Sequence, residues 1–539
     1  MPRSHVKNLL RSDAPALAPT VCGADVELAN FILGDEGDRD RSIEAAQRVL
    51  REVDGIRPAR IADRARVGVL AASANYDMAG AERTRVWLAC NGGCIYIDMG
   101  HVELCLPEVS SAFEHVAAWH AMLRIAREAA ERAAADLDDG EAIELVANNS
   151  DGHSKSYGGH LDFLVRRATW DAIGRKAGSL LFLASHHASS VIYTGAGKVG
   201  SENGRPAVAY QISQRADFME SLFGQQTTYA RPLVNTRDEP LCGIGGDERG
   251  PDDLARMHVI HCDTGLCHGA QVLKVGVEQI VLAMLGAGRE DRTLLLDDPV
   301  DAVVAWSHDL DLGRRSMLVS GEQVTAVELQ RRYFDAAVAA HADGVLAQVP
   351  RVAEILALWD DTLRKLAAGD LEALAPRLDW VRKLTVIRSL PDLVDTSERQ
   401  LRAKHADLQY AALAEDRGLY WAYEDAGLVE RHVTEAEIAR YVIEPPRDTR
   451  ACARALVLSI FRDDIWDADW DFVRVRSASD PQDLDIALDD PRDPGFARAE
   501  VDRLLDHYHT RAAANEAPDK DGASTTGPRP EKEYGNGRN

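Results

Sequence analysis

Asn91-Gly92-Gly93-Cys94-Ile95-Tyr96-Ile97-Asp98-Met99-Gly100-His101-Val102-Glu103 decides how the rest of the chain is read. Asn-Gly-Gly tolerates positive φ and makes a turn, and Cys94 to Asp98, rich in β-branched and aromatic side chains, continues as a strand. Side chains alternate across a strand, so Tyr96 and Asp98 share one face while Ile95 and Ile97 share the other. If the chain stays extended, His101 and Glu103 also fall on a common face. A strand that merely faced water would carry Thr, Lys and Ser; here one side is apolar and the other acidic.

Val21-Cys22-Gly23-Ala24-Asp25-Val26-Glu27-Leu28 repeats the design. Period two groups Asp25 with Glu27, opposite Ala24, Val26 and Leu28. Carboxylates gathered on one sheet face repel each other unless a cation neutralises them. Hard oxygen ligands suit Mg²⁺ or Mn²⁺, which are commonly shared between a few carboxylates and nucleotide phosphates. Either strand alone also fits an antiparallel sheet with one wet face.

Composition narrows the classes. The chain has 539 residues and a net charge of −25, enough length for a large core and more than one domain. The charge argues against nucleic acid and anionic membranes as partners. No apolar run approaches the roughly 20 residues that span a bilayer, and the polar N-terminus does not read as a signal peptide. The eight cysteines are scattered, as reduced thiols of a cytoplasmic protein are. His258, His261, Cys262, Cys267 and His268 match no common zinc spacing.

Periodicity predicts a helix over 43–53, with Ile43, Val49, Leu50 and Val53 at helical spacing, a strand over Val86 to Ala89 and a long helix over 110–136. Residues 57–84 read as a loop or insertion. The chain divides into an N-terminal extension (1–19), a main catalytic unit (20–435), a small C-terminal unit (436–510) with a Trp-rich segment from Trp466 to Phe472, and a polar, disordered tail (511–539). Gly195-Ala196-Gly197-Lys198-Val199-Gly200 precedes a strand-like segment and is not placed as a P-loop.

Further stretches share an order and spacing: Asn148-Asn149-Ser150-Asp151-Gly152, Ser156-Tyr157-Gly158-Gly159-His160, Ile212-Ser213-Gln214-Arg215-Ala216-Asp217, Val234-Asn235-Thr236-Arg237-Asp238-Glu239-Pro240 and Pro445-Pro446-Arg447-Asp448-Thr449-Arg450. With the two acid-faced strands they resemble the bacterial family of the Pup ligase and the Pup deamidase/depupylase, over roughly residues 20 to 475. The resemblance implies an α+β fold: a glutamine-synthetase-like curved antiparallel sheet whose concave face holds ATP and Mg²⁺, helices behind it, and a small C-terminal domain.

It also implies roles. Glu27, with Asp25 as the first acid, matches the Gly-x-Glu-x-Glu metal strand. Asp98 matches the catalytic aspartate of Asn-Gly-Ala-Arg-Leu-Tyr-Val-Asp, with Tyr96 beside it toward the nucleotide. Glu103 and His160 match metal-site positions, and Arg215 and Arg237 match arginines near the nucleotide phosphates and the substrate carboxylate, Arg237 also serving catalysis. A planar guanidinium pairs bidentately with either anion. The implied reaction makes a carboxylate an acyl phosphate, stabilised by cations and arginines, before an amine displaces phosphate. Only the neutral amine attacks, so Asp98 takes its proton.

Departures bear on the substrate. The family Arg of Asn-Gly-Ala-Arg is Cys94, His-Pro-Glu-Tyr reads His101-Val102-Glu103-Leu104, and His-Glu-Asn reads His160-Leu161-Asp162. Kept machinery in altered surroundings predicts an ATP-dependent carboxylate–amine ligase joining a glutamate or glutamyl-containing substrate to the amine of a small amino acid or metabolite. The alternative is a Pup deamidase/depupylase-like hydrolase with a Pup-like protein partner, favoured by the 57–84 insertion and by Gly195 to Gly200, which ends Lys-Val-Gly. A non-catalytic binding module is a third reading, opposed by retention of Glu27, Asp98, Glu103, Arg215 and Arg237.

Overall fold

The structure, a computed structural model, describes residues 20–34, 41–59, 85–239, 241, 253–391, 396–476 and 484–495. The extension at 1–19, the tail at 511–539 and nearly all of the 57–84 segment lie outside the described residues.

β1 (Cys22–Leu33), α1 (Ser42–Glu52), β2 (Val86–Trp87), β3 (Cys94–Asp98), β4 (His101–Cys105), α2 (Ala112–Ala134), β5 (Ala142–Val146) and β6 (Gly159–Arg166) open the fold. β7 (Lys198–Val199), β8 (Tyr210–Gln211), β9 (Met219–Gly224), β10 (Arg231–Asn235) and β11 (Leu254–Val259) follow. Seven strands make one sheet in the order β11-β6-β1-β4-β3-β2, with β5 added to β1. Every pairing within it is antiparallel. The fold is α+β, as the alternation of Asp25 and Glu27 with Val26 and Leu28 requires of a sheet with one helix-covered face.

The opening stretch does not stay extended. Met99 (φ 46°) and Gly100 (φ 93°) both adopt left-handed conformations, and two such central residues make the tight turn that matches strand twist. β3 therefore folds back on β4, pairing Asp98 with His101 and Tyr96 with Glu103. Glu103 still reaches the acidic face, across a hairpin instead of along a strand.

Behind the sheet, Leu28, Val49, Val102, Leu104 and Val116 are fully buried in the main core, each contributing about 1.5–3 kcal/mol. α2 starts at Ser111, whose side chain accepts from the Phe113 N–H, an N-cap that satisfies one orphan donor. Ile43, expected inward, is 38% exposed, because Ala45, Ala46, Val49 and Leu50 carry the buried face of α1.

One apolar helix escaped the sequence reading. His268–Gly286 has 19 residues with a mean hydropathy of 1.3, and 94% of its apolar window is buried inside the fold. Its length and composition meet the requirement of a membrane span, but its surroundings are those of a core helix. At the C-terminal end, helix Glu435–Ile443 packs Ile438 and Tyr441 into the main core, and Ala453 belongs to a second apolar cluster. That cluster joins Val457, Leu458 and the three-stranded sheet of Ile465–Ala468, Phe472–Val475 and Leu484–Ala487 to Trp87, Cys94 and Cys105.

Candidate active site

The polar face of the sheet floors a cleft of about 610 Å³. Asp25, Glu27, Asp98, Glu103, His160 and His258 all line it. On the β11 side Arg237, Glu239 and Arg256 border it; on the β2–β3 side Arg85, Arg450 and Trp470 do.

Register builds two groups on this floor. Glu27 on β1 lies opposite Glu103 on β4, and Glu103 opposite Tyr96 on β3. Glu27, Asp98 and Glu103 thereby bring carboxylate oxygens within 4.8 Å of one another. Asp25 on β1 lies opposite His160 on β6, and Asp162 on β6 opposite His258 on β11. Asp25, His160 and His258 form the second group, again within 4.8 Å.

The electrostatics differ between the groups. Burial, opposed by the Gly158 N–H and reinforced by Asp98, pushes the Glu27 carboxyl up to about 8. Burial, with Asp25, Glu27 and Asp98 nearby, raises Glu103 well above the usual carboxylate range. Burial also acts on Asp25, but the hydrogen bond from His160 at 3.1 Å and the charges of His160 and His258 outweigh it and hold Asp25 low. Burial depresses His160.

Both groups fit divalent cations. Asp25 Oδ1 and Glu103 Oε2 are buried without a hydrogen-bond partner, an expense that a bound cation removes. Three carboxylates suit a hard ion such as Mg²⁺ or Mn²⁺; two imidazoles with a carboxylate extend the range to transition ions.

Backbone chemistry around Glu27 explains its placement. The Gly158 N–H donates to Glu27 Oε2, and the Glu27 N–H donates to Gly158 O at 3.1 Å. A Cβ on Gly158 would lie 2.7 Å from the His160 ring, so only glycine lets that loop approach both residues.

Arg215, expected beside phosphates, lies beneath the cleft and is not among the residues that line it. It is fully buried, with Nε donating to Ile260 O at 2.9 Å, one terminal nitrogen donating to Tyr157 O, and the other without a partner. Burial, with Arg231 nearby, pulls it down to about 10. It pins the Ser156–Tyr157 turn that leads into Gly158, and its charge also favours the ionised form of Glu27. Arg237 does line the cleft; its side chain is 41% exposed, 3.8 Å from Glu239. Tyr96 lines the floor beneath the Arg85 guanidinium, 5.4 Å from the ring centre.

The sequence reading passed over several neighbours. His258 lies between the buried Met257 and Val259, and period two alone turns it to the polar face. His261 instead stacks on His187 at 4.0 Å and His268 lies 4.5 Å from His120, so the five residues do not converge. Glu108 forms a buried ion triad with Arg450 (2.7 Å) and Arg454, tying the C-terminal unit to the chain just after β4. The Gly195–Gly200 segment is a packing turn: Ala196 N–H donates to Asp263 at 2.8 Å, and Gly197 faces Tyr210 and Trp380.

Comparison with known proteins gives a consistent result. A family model described as Pup-ligase protein matches residues 23–474. A depupylase from Acidothermus cellulolyticus is 35% identical over 384 residues, 71% of this chain and 74% of that protein. A Pup–protein ligase from Acidimicrobium ferrooxidans is 35% identical over 429 residues, 77% of this chain and 88% of that one. The structure of the Pup ligase PafA in complex with ADP superposes with a TM-score of 0.68 at 26% identity, over 84% of this chain and 94% of PafA. The complex of Pup with PafA shares the fold, with a TM-score of 0.73 at 23% identity, over 94% and 98% of the two chains. The chain belongs to the Pup-ligase family.

Proposed function

We propose that this enzyme, an ATP-dependent carboxylate–amine ligase, activates a glutamate-type carboxylate on a Pup-like protein as an acyl phosphate and transfers it to an amine. The observation that carries the reading is the floor itself, where the buried pair Glu27 and Glu103, with the more open Asp98 beside it, lies on one sheet face with Asp25, His160 and His258. Relatives that match most of the chain are named for Pup, which favours a protein tail over the free amino acid or metabolite expected from the altered motifs. A nucleotide is the cosubstrate, in keeping with the ADP-bound relative.

Glu27 and Glu103 would hold one Mg²⁺, and Asp25, His160 and His258 a second; such ions neutralise charge developing on transferred phosphate. The chain's own side chains do the rest. Gly158 fixes Glu27, and Arg237, at the rim and only partly exposed, offers its planar fork to phosphate or carboxylate. Asp98 is half-buried where Glu27 and Glu103 are buried. It is thus open to the incoming amine and accepts its proton.

A second reading, hydrolysis of a Pup–protein amide, is favoured by the depupylase relative at 35% identity. Incubation with ATP, Mg²⁺, a Pup-like protein ending in glutamate and a lysine-bearing acceptor separates the two. The ligase reading expects one ADP per conjugate formed. Cleavage of a preformed conjugate without ATP turnover would favour the hydrolase, and neither activity would overturn both.

A further inference from the structure

We infer that Asp162 is a positioning residue that fixes His258 as a cation ligand and, through its charge, tightens the Asp25–His160–His258 group on its ion. The inference rests on the cation reading above and adds to it a residue outside both groups.

Asp162 and His258 face each other across the β6–β11 ladder. One carboxylate oxygen, Asp162 Oδ1, accepts from His258 Nδ1 at 2.8 Å and from Arg256 at 2.9 Å. Arg256 is held in turn by Glu239, its Nε donating to the Glu239 carbonyl at 2.8 Å. A histidine that donates through Nδ1 keeps the lone pair on Nε2, the tautomer needed to bind a metal. The His258 side chain is 2% exposed, and its ring packs edge-on against His160 with centres 4.9 Å apart. With Nδ1 taken by Asp162, Nε2 is the nitrogen left for the group. A carboxylate behind a ligating imidazole raises its basicity and fixes its orientation.

The motif His-Glu-Asn reads His160-Leu161-Asp162 here, so a charge stands where an amide would accept the same two hydrogen bonds. Asp162→Asn is therefore close to isosteric: it keeps the acceptor and removes the charge. Mn²⁺ binding to the nucleotide-free protein, followed by electron paramagnetic resonance, reads the effect without turnover. The wild type is expected to bind two Mn²⁺. Asp162→Asn should weaken one of them by about ten- to a hundredfold, the usual consequence of losing such a partner, and leave the other unchanged. Melting curves of the ion-free proteins run alongside. A lowered melting temperature with both Mn²⁺ affinities intact would make Asp162 merely structural and overturn the inference, leaving the cation reading in place. Absence of any Mn²⁺ binding to the wild type would overturn both.

Discussion

Glu27 and Glu103 stand directly opposite each other on β1 and β4, 8% and 3% exposed, and Glu103 keeps one oxygen without a hydrogen-bond partner. Two acids in one buried pair cannot both carry charge cheaply unless a cation lies between them. The pair thus costs stability in the ion-free protein, a cost that a bound cation would relieve.

Glu27→Gln tests both sides of that statement. Burial raises Glu27 from 4.5 to about 8 in the fold, so stability falls as pH rises from about 4.5 to about 8, and the full cost of the buried charge is present above that. In ion-free protein at about pH 8.5, Glu27→Gln should raise the melting temperature by about 1–3 °C. It should also shrink the further rise produced by Mg²⁺ with ATP. Calorimetry with and without the ligands checks both; a full ligand-induced rise in the variant would remove Glu27 from the cation site.

Asp98→Asn should leave nucleotide binding intact and slow transfer to the amine by about a hundred- to ten-thousandfold, the usual worth of a general base. Raising the pH should recover part of the rate, because more amine becomes neutral unaided. Nucleotide titration beside single-turnover kinetics separates the two steps. Wild-type transfer in the variant would make Asp98 a bystander.

Acid should destabilise the core through histidine. Burial holds His115 down to about 3 and His120 down to about 4, from 6.5. Both stay neutral in the fold while the unfolded chain takes up protons, so stability falls as pH drops from about 6.5 toward 4. His115 Nδ1 has no partner, which makes His115→Leu a mild change at neutral pH. The variant should lose stability less steeply over that interval, as read from urea unfolding at pH 7, 6 and 5. A slope equal to the wild type would contradict the assignment.

The ion triad joining the C-terminal unit is open to direct measurement. Arg450 and Arg454, at 5% and 0% side-chain exposure, hold Glu108 down to about 2 against its burial. Glu108→Ala would leave two buried guanidinium groups without their carboxylate and should cost about 3–5 kcal/mol. Chemical denaturation checks the value; a change below about 1 kcal/mol would mean that water reaches the site.

Much of this was legible in residues. Period two in Asp25–Val26–Glu27 and Tyr96–Ile97–Asp98 gave the acidic face, and sheet pairing then brought Glu27 and Asp98 to Glu103. What failed were matters of tertiary neighbours. The turn at Met99–Gly100 carries a non-glycine residue at positive φ, a signal that Met does not advertise. Arg215 matches by motif, but no local pattern shows that its guanidinium donates to the Ile260 and Tyr157 carbonyls beneath the cleft floor. His258 comes beside Asp25 and His160 because β11 pairs with β6, a pairing of residues 96 apart in sequence that no local pattern displays. Glu108 met its arginines only through a C-terminal unit that no local pattern docks there.

The central claim is that ATP is used to make an acyl phosphate on a protein carboxylate. The most direct measurement is oxygen transfer: a Pup-like protein labelled with ¹⁸O in its terminal glutamate carboxylate, incubated with enzyme, ATP, Mg²⁺ and an amine acceptor, with the released phosphate read by mass spectrometry. The account predicts one ¹⁸O in phosphate for each amide formed, with the label following ADP one to one. Amide formed with unlabelled phosphate, or amide cleaved with no phosphate released, would contradict it.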